Sequence, residues 1–177
     1  MRRAMLYALT DEELLQLLEQ PEEERYDYML YELENTLFNT PRACELDKAW
    51  DGIQYCLGEG IWSEENRLPY NIIVGGEPLT YIGDDPEELI TWKSDEEVVE
   101  IAEYLKRHDL SEIILNNHSQ IDAEYYYRSV DDEDLKYLLE WCGNIRVFYE
   151  NAAHSGFSVM SYLMLLYFSP GLPNVAL

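Results

Sequence analysis

Basic residues are scarce in this 177-residue chain. Lys and Arg number 12 against 36 Asp and Glu, which sets the formal net charge at −24 and the pI near 4.2. A nucleic-acid backbone needs Lys and Arg to neutralise its phosphates, so this balance argues against nucleic acid as a partner. It argues against anionic membrane surfaces for the same reason. Cysteine is also sparse. Cys44, Cys56 and Cys142 are widely spaced, with no C-x-x-C pair to suggest a zinc knuckle or a redox motif. Long apolar runs are missing too. The best candidate, Phe157 to Phe168, is interrupted by Ser158 and Ser161 and is too short to span a bilayer. At the N-terminus, Arg2 and Arg3 are followed only by the Ala4–Leu9 run before Asp11, Glu12 and Glu13, which falls short of a signal-peptide core. An odd thiol count without such a signal leads us to expect reduced cysteines, buried as plain core residues, in a cytoplasmic protein.

What is abundant points to a packed core. Apolar residues make up 47% of the chain and aromatics 13%, enough for one folded domain over residues 1–177 and unlike a solvated tail. Residues 4–9 read as a strand. Thr10-Asp11-Glu12-Glu13 is a capping box that opens a helix carrying Leu14, Leu15, Leu17 and Leu18. Pro21 ends it and starts a second helix, whose first turn holds Glu22, Glu23 and Glu24. Leu46, Ala49, Trp50, Ile53 and Leu57 recur at helical spacing. From Ile61 to Thr91, frequent Gly, Pro and Asn predict loops around one or two short strands, at Ile72-Ile73-Val74 and at Leu79 to Ile82. Ser94 and Glu97 form a second capping box, followed by Val98, Ile101, Ala102 and Leu105 on one face. Ser111 is expected to cap a short turn, and residues 121–127 fit helix or strand equally. Asp131 opens a helix with Leu135, Leu138, Leu139 and Cys142 in its stripe, continuing past an irregularity near Gly143 towards Ala153, with Gly156 as its stop. A late buried strand and a surface tail from Ser169 follow. The order of elements predicts an α+β fold, about five helices on a small mixed β-sheet.

Four ordered landmarks resemble a known family. Leu46-Asp47-Lys48-Ala49-Trp50-Asp51-Gly52-Ile53 matches a helix of the form L-D-K-x-W-x-x-I. Pro69 to Pro78 is similar to a P-L-x-x-x-(I/V)-x-G-G segment, and the Ser94–Leu105 helix sits where a T-P-E-E-V start is expected. Phe148-Tyr149-Glu150-Asn151-Ala152-Ala153 with Gly156 is similar to F-Y-x-x-A-A-x-x-G. Together these resemble the YfbM-like family, bacterial and phage proteins of mostly unassigned function, over roughly residues 44–166. The resemblance implies an α+β fold with a compact core and supplies no catalytic residues; some relatives are regarded as immunity-type proteins in toxin systems. This chain departs from the family at Asp84 to Ile90, an acidic stretch in place of a Y-G-P-A-R-like segment, so no role of that Arg carries over.

Catalytic signatures are weak. Gly75-Gly76-Glu77 lacks the spacing of a phosphate-cradling loop and reads as a turn needing positive φ. His108, His118 and His154 lie far apart, and neither a metal site nor a cofactor is expected. Asp47, Lys48 and Trp50 with Glu77 define an alternative reading, a pocket for an enzyme or small-ligand protein, against a plain ion pair fixing a central helix. The acidic clusters are more informative. Three fall at helix starts, where negative charge suits the dipole, but that does not explain why basic residues are scarce elsewhere. The 15 tyrosines, among them Tyr125, Tyr126 and Tyr127, are rigid contact material beside acids. We therefore expect a non-enzymatic domain that occludes a basic protein partner, such as a cognate toxin. The expected faces are Asp84, Asp85, Glu87 and Glu88 near Trp62, or Asp131, Asp132, Glu133 and Asp134 near Tyr125 to Tyr127.

Overall fold

Two apolar surfaces meet at the first strand. In β1 (Arg2–Leu9), Ala4, Leu6 and Ala8 belong to one core, Met5, Tyr7 and Leu9 to another, and all six are buried. Successive side chains of a strand point to opposite faces, so a strand apolar at every position is covered on both. The computed structural model describes residues 2–62, 67–81 and 89–165 and has this layered arrangement. β2 (Ala43–Asp47), β3 (Glu77–Tyr81), β4 (Leu89–Lys93) and β5 (Ser158–Leu165) complete a five-stranded sheet of order β2-β1-β5-β4-β3. Every pairing is antiparallel, where the order of elements had suggested a mixed sheet.

One face is covered by α1 (Asp11–Glu19) and by a continuous helical rod, in which α2 (Arg25–Tyr28), a π-helical turn at Met29–Leu33 and α3 (Glu34–Leu37) follow one another. Leu14, Leu17, Met29, Leu33 and Leu37 seal it against Met160 and Tyr162 of β5. The other face carries α4 (Ala49–Leu57), α5 (Asp95–Arg107), α6 (Leu110–Asn117), α7 (Asp132–Cys142) and α8 (Ile145–Ser155). The α+β expectation holds. Both capping boxes form, with Thr10 and Glu13 exchanging hydrogen bonds at 2.9 and 3.2 Å and Ser94 and Glu97 at 2.9 and 3.3 Å. Gly156 stops α8 in the left-handed conformation at φ 66°. All three cysteines are buried free thiols, and burial pushes Cys44 and Cys56 up to about 12.

Several expectations are corrected. Leu46 belongs to β2, not to a helix. Asp47 reverses the chain at φ 43°, and Leu46 shares a core with Trp50 and Ile53, so burial across a strand–helix junction imitated helical spacing. Asp109, not Ser111, caps α6, accepting the Ser111 N–H at 2.8 Å. Residues 121–127 are turns, and the long helix breaks at Gly143-Asn144 into α7 and α8. The tail from Ser169 lies outside the described residues.

The largest correction concerns Ile72-Ile73-Val74. All three are buried, but the segment is a 3-10 turn (Tyr70–Ile72) followed by irregular backbone. Buried backbone groups need partners, and here side chains supply them. Tyr149 donates to the Ile72 carbonyl at 2.5 Å, and Thr91 to that of Gly75 at 2.7 Å. Gln54 donates to the Tyr70 carbonyl at 2.9 Å and accepts from the Val74 N–H at 3.5 Å. Lys93 joins this set. Its side chain is wholly buried, with Nζ 2.7 Å from Ser161 Oγ and 3.5 Å from the Ile73 carbonyl. Gly75 and Gly76 turn the segment into β3 at φ 128° and 99°, and a Cβ at Gly76 would lie 2.2 Å from the Trp92 carbonyl oxygen.

Burial lowers the Lys93 ammonium to about 7, against the opposing pull of the Glu97 charge. The unfolded chain keeps that proton up to the ordinary value of 10.5, so between about 7 and 10.5 it binds more protons than the native state. Stability contributed by Lys93 therefore rises with pH across that window and is lost as pH falls towards 7. Urea midpoints of the wild type are expected to increase from about pH 7 to about pH 8, by up to about 1 kcal/mol in free energy, and Lys93→Met is expected to flatten the increase. Equal slopes in the two proteins would contradict the assignment.

Candidate functional site

The site is built on a single buried carboxylate. Asp131 N-caps α7, accepting the backbone N–H groups of Glu133 at 3.0 Å and Asp134 at 2.9 Å. That cap sets the rotation of the first turn and turns Asp134 inward, where it is 2% exposed. Three side chains from the segment before α7 converge on it, one from a 3-10 turn (His118–Gln120) and two from the irregular stretch after it. Tyr126 donates its hydroxyl to the carboxylate at 3.1 Å, Arg128 donates through Nε, and His118 Nε2 lies 3.0 Å from Oδ2. Burial, then the Asp134 charge, pushes the Tyr126 phenol well above its ordinary value. The hydrogen bond to Asp134 raises the Arg128 guanidinium further.

The network extends outward from Arg128. Its guanidinium stacks over the Tyr137 ring at 4.2 Å. Tyr137 donates to Asp47 Oδ2 at 2.6 Å and accepts the Lys48 backbone N–H at 3.3 Å, and burial with that Asp47 bond pushes its phenol up to about 12. The β2–α4 junction, α7 and the 118–131 stretch are thus tied together. Behind Tyr126 runs a row of edge-to-face rings. Tyr126 meets Tyr55 at 5.7 Å, Tyr55 meets Trp62 at 5.4 Å, and Trp62 meets Trp50 at 5.6 Å. Gly52 makes room for this row, since a Cβ there would lie 2.4 Å from the Tyr126 hydroxyl oxygen and 2.8 Å from Leu138.

The sequence-predicted residues divide clearly. Tyr125 and Tyr127 are 67% and 84% exposed, while Tyr126 between them is buried. Asp131, Asp132 and Glu133 are exposed, but Asp134 is not a surface acid at all. Trp62 is half-buried and joins the Tyr125–Tyr127 group through Tyr55. Asp84, Asp85, Glu87 and Glu88, expected beside Trp62, lie outside the described residues. Asp47 serves Tyr137, and Trp50 is core. The pocket expected from Asp47, Lys48 and Glu77 does not assemble. Asp47 ends edge strand β2 and Glu77 begins edge strand β3, so four interstrand steps, about 19 Å in all, separate them.

His118, Arg128, Tyr55 and Tyr137 were not singled out for this site from the sequence. Arg128 had a usable signal. In a chain with so few cations, an Arg between a tyrosine run and an acidic helix start has a carboxylate waiting for it. Elsewhere, a shallow cleft of about 200 Å³ is lined by Arg42, His154, Ser155 and Phe157 among others. Its guanidinium is already committed, bonding Glu13 and the Ala8 carbonyl and stacking at 4.9 Å on Phe157. The Lys93–Ser161 pair is sealed inside the core.

Residues 2–162 match the DUF1877 family, described as a domain of unknown function, and the chain belongs to that family. Among solved structures it is similar to YfbM from Escherichia coli, a protein of unknown function, with a TM-score of 0.60 at 15% identity, covering 92% of this chain and 99% of that one. At that identity the likeness carries the fold alone. No curated protein matches the chain. Among the described residues, no helix is long and apolar enough to cross a membrane.

Removing one member of a buried ionic cluster leaves the others unpaired, at a typical cost of about 3–5 kcal/mol. Asp134→Ala is expected to show a loss of that size in urea unfolding, with hydrogen exchange accelerating first in residues 118–131. Gly52→Ala overpacks the Tyr126 hydroxyl and is expected to cost about 1–3 kcal/mol. A neutral Gly52→Ala would mean that the ring row is looser than described.

Proposed function

We propose that this chain is a protein-binding domain that occludes a basic protein partner, in the manner of an immunity protein neutralising a toxin enzyme. The observation that carries this reading is the placement of Tyr125 and Tyr127, 67% and 84% exposed, on a stretch whose Tyr126 and Arg128 are bound to buried Asp134. Backbone anchored in this way has little freedom left to lose on association, which lowers the entropic cost of docking. Tyrosine adds large contact area with only two side-chain torsions. Asp122, Glu124, Asp131, Asp132 and Glu133 are exposed along the same stretch and offer carboxylates to Lys and Arg of a partner. The net charge of −24 would steer such a partner inward and raise association rates by about 10–10³-fold at low salt. The carboxylates would pair with cationic groups of the partner's active site while a tyrosine ring fills its cleft. The alternative of an enzyme with a pocket at Asp47, Lys48 and Glu77 has less support, because those residues sit on opposite edges of the sheet.

The test is capture from the native host with the whole chain as bait, alongside a Tyr125→Ala/Tyr127→Ala double variant. One stoichiometric basic partner is expected. Its association should slow about tenfold or more when ionic strength rises from about 0.05 to about 0.5 M. The double variant should lose capture at unchanged thermal stability. Equal capture by the variant, or an association rate indifferent to salt, would overturn the reading.

A further inference from the structure

The chain holds its own arginines in a recurring way. Arg128 lies over the Tyr137 ring at 4.2 Å while bonding Asp134. Arg42 lies over the Phe157 ring at 4.9 Å while bonding Glu13, and Arg3 pairs with Glu45 at 6.0 Å from the Phe38 ring. In each case one ring and one carboxylate share a guanidinium. This suits a planar cation that stacks through its face and donates through its edge.

The same residue types stand exposed on the outside of the molecule, on the turn next to the ring row. Tyr55 packs edge-on to Trp62 and Tyr126. Tyr125, Tyr127 and Asp122 are exposed along that turn, where the Asp122 carbonyl accepts the Tyr125 and Tyr126 amides at 3.2 Å and its Oδ1 accepts the Glu124 amide at 3.0 Å. After burial, the groups acting on the Tyr55 hydroxyl are Asp51, Asp122, Tyr127 and Tyr125, and all of them raise its pKa. Arg128, a few residues away in sequence, is directed inward to Asp134 and Tyr137. We infer that the ring faces of Tyr125 and Tyr127, together with the carboxylate of Asp122 at the start of the same turn, seat an arginine side chain of the docking partner. This rests on the docking reading above and narrows it from a basic partner to one that presents arginine at this point. Lysine carries the same charge, but its compact, strongly hydrated ammonium cannot stack on a ring while donating two parallel bonds to a carboxylate.

The experiment titrates the full-length isotope-labelled protein with three capped peptides of sequence Gly-X-Gly-X-Gly, where X is arginine, lysine or uncharged citrulline, and follows amide and tryptophan indole resonances. The arginine peptide is expected to shift Tyr125, Tyr127 and the Trp62 indole, to bind more tightly than the lysine peptide by about two- to fivefold, and to exceed the citrulline peptide by more. Tyr127→Leu keeps apolar area but removes the ring, and Asp122→Asn removes the charge. Each is expected to weaken the arginine peptide about two- to fivefold and to erase its advantage over lysine. Both positions are exposed, so unchanged melting temperatures should accompany these losses. Equal binding of arginine and lysine peptides, with shifts spread over the acidic clusters, would overturn the arginine seat while leaving an acidic docking face intact. No shift with either peptide would also overturn the seat, and the capture experiment would then decide the broader reading by itself.

Discussion

The carboxylate of Asp134 is the constraint on which the candidate face depends. A carboxyl group at 2% exposure is tolerated only with several hydrogen-bond partners around it. Here Tyr126 and Arg128 meet that need from a stretch with no strand or helix across 121–130, and His118 from the 3-10 turn just before it. The dependence is mutual. The carboxylate needs three donors to remain inside, and the irregular backbone needs the carboxylate to have one conformation. What reaches solvent from this arrangement is whatever lies between the anchors, and that is Tyr125 and Tyr127.

A related exchange governs the opposite wall of the same core. The Tyr70–Gly75 backbone is buried without a strand partner, and Gln54, Thr91, Lys93 and Tyr149 bond it from three directions. Such side chains would destabilise a core if left unpaired. Paired with backbone, they do the work of a sheet ladder for a segment that cannot join one. Both regions follow one rule: irregular chain keeps a single conformation where a buried polar side chain from a packed helix or strand bonds it, through its backbone in one region and through its side chains in the other.

How much was legible in the sequence follows from that rule. Local signals were readable. The capping boxes at Thr10 and Ser94, the glycine stop at Gly156 and the apolar run of β1 each depend on residues within a few positions of one another. The face was legible in outline, as tyrosines next to an acidic helix start. Its internal division was not. Nothing local distinguishes Tyr126 from Tyr125 and Tyr127, because the difference is made by Tyr55 on α4 and Asp134 on α7. Ile72 to Val74 misled for the same reason, since composition reported burial while the hydrogen-bond partners came from distant positions. The pairing of Lys48 with Glu77 depends on strand order, which no local pattern encodes and which puts them at opposite ends of the sheet.

Strand order has a further consequence for synthesis. β5 lies between β1 and β4, although it follows every other described element along the chain. A nascent chain that has delivered β1 to β4 can form only two hairpin-like pieces, β2 with β1 and β3 with β4, each with a bare edge facing the gap. Closing that gap is the most non-local step in the fold, and such steps are slow. The sheet therefore becomes continuous only after β5 has been made. A product cut short before Ser158 would present two sticky edges to its neighbours instead of a weaker version of the finished domain.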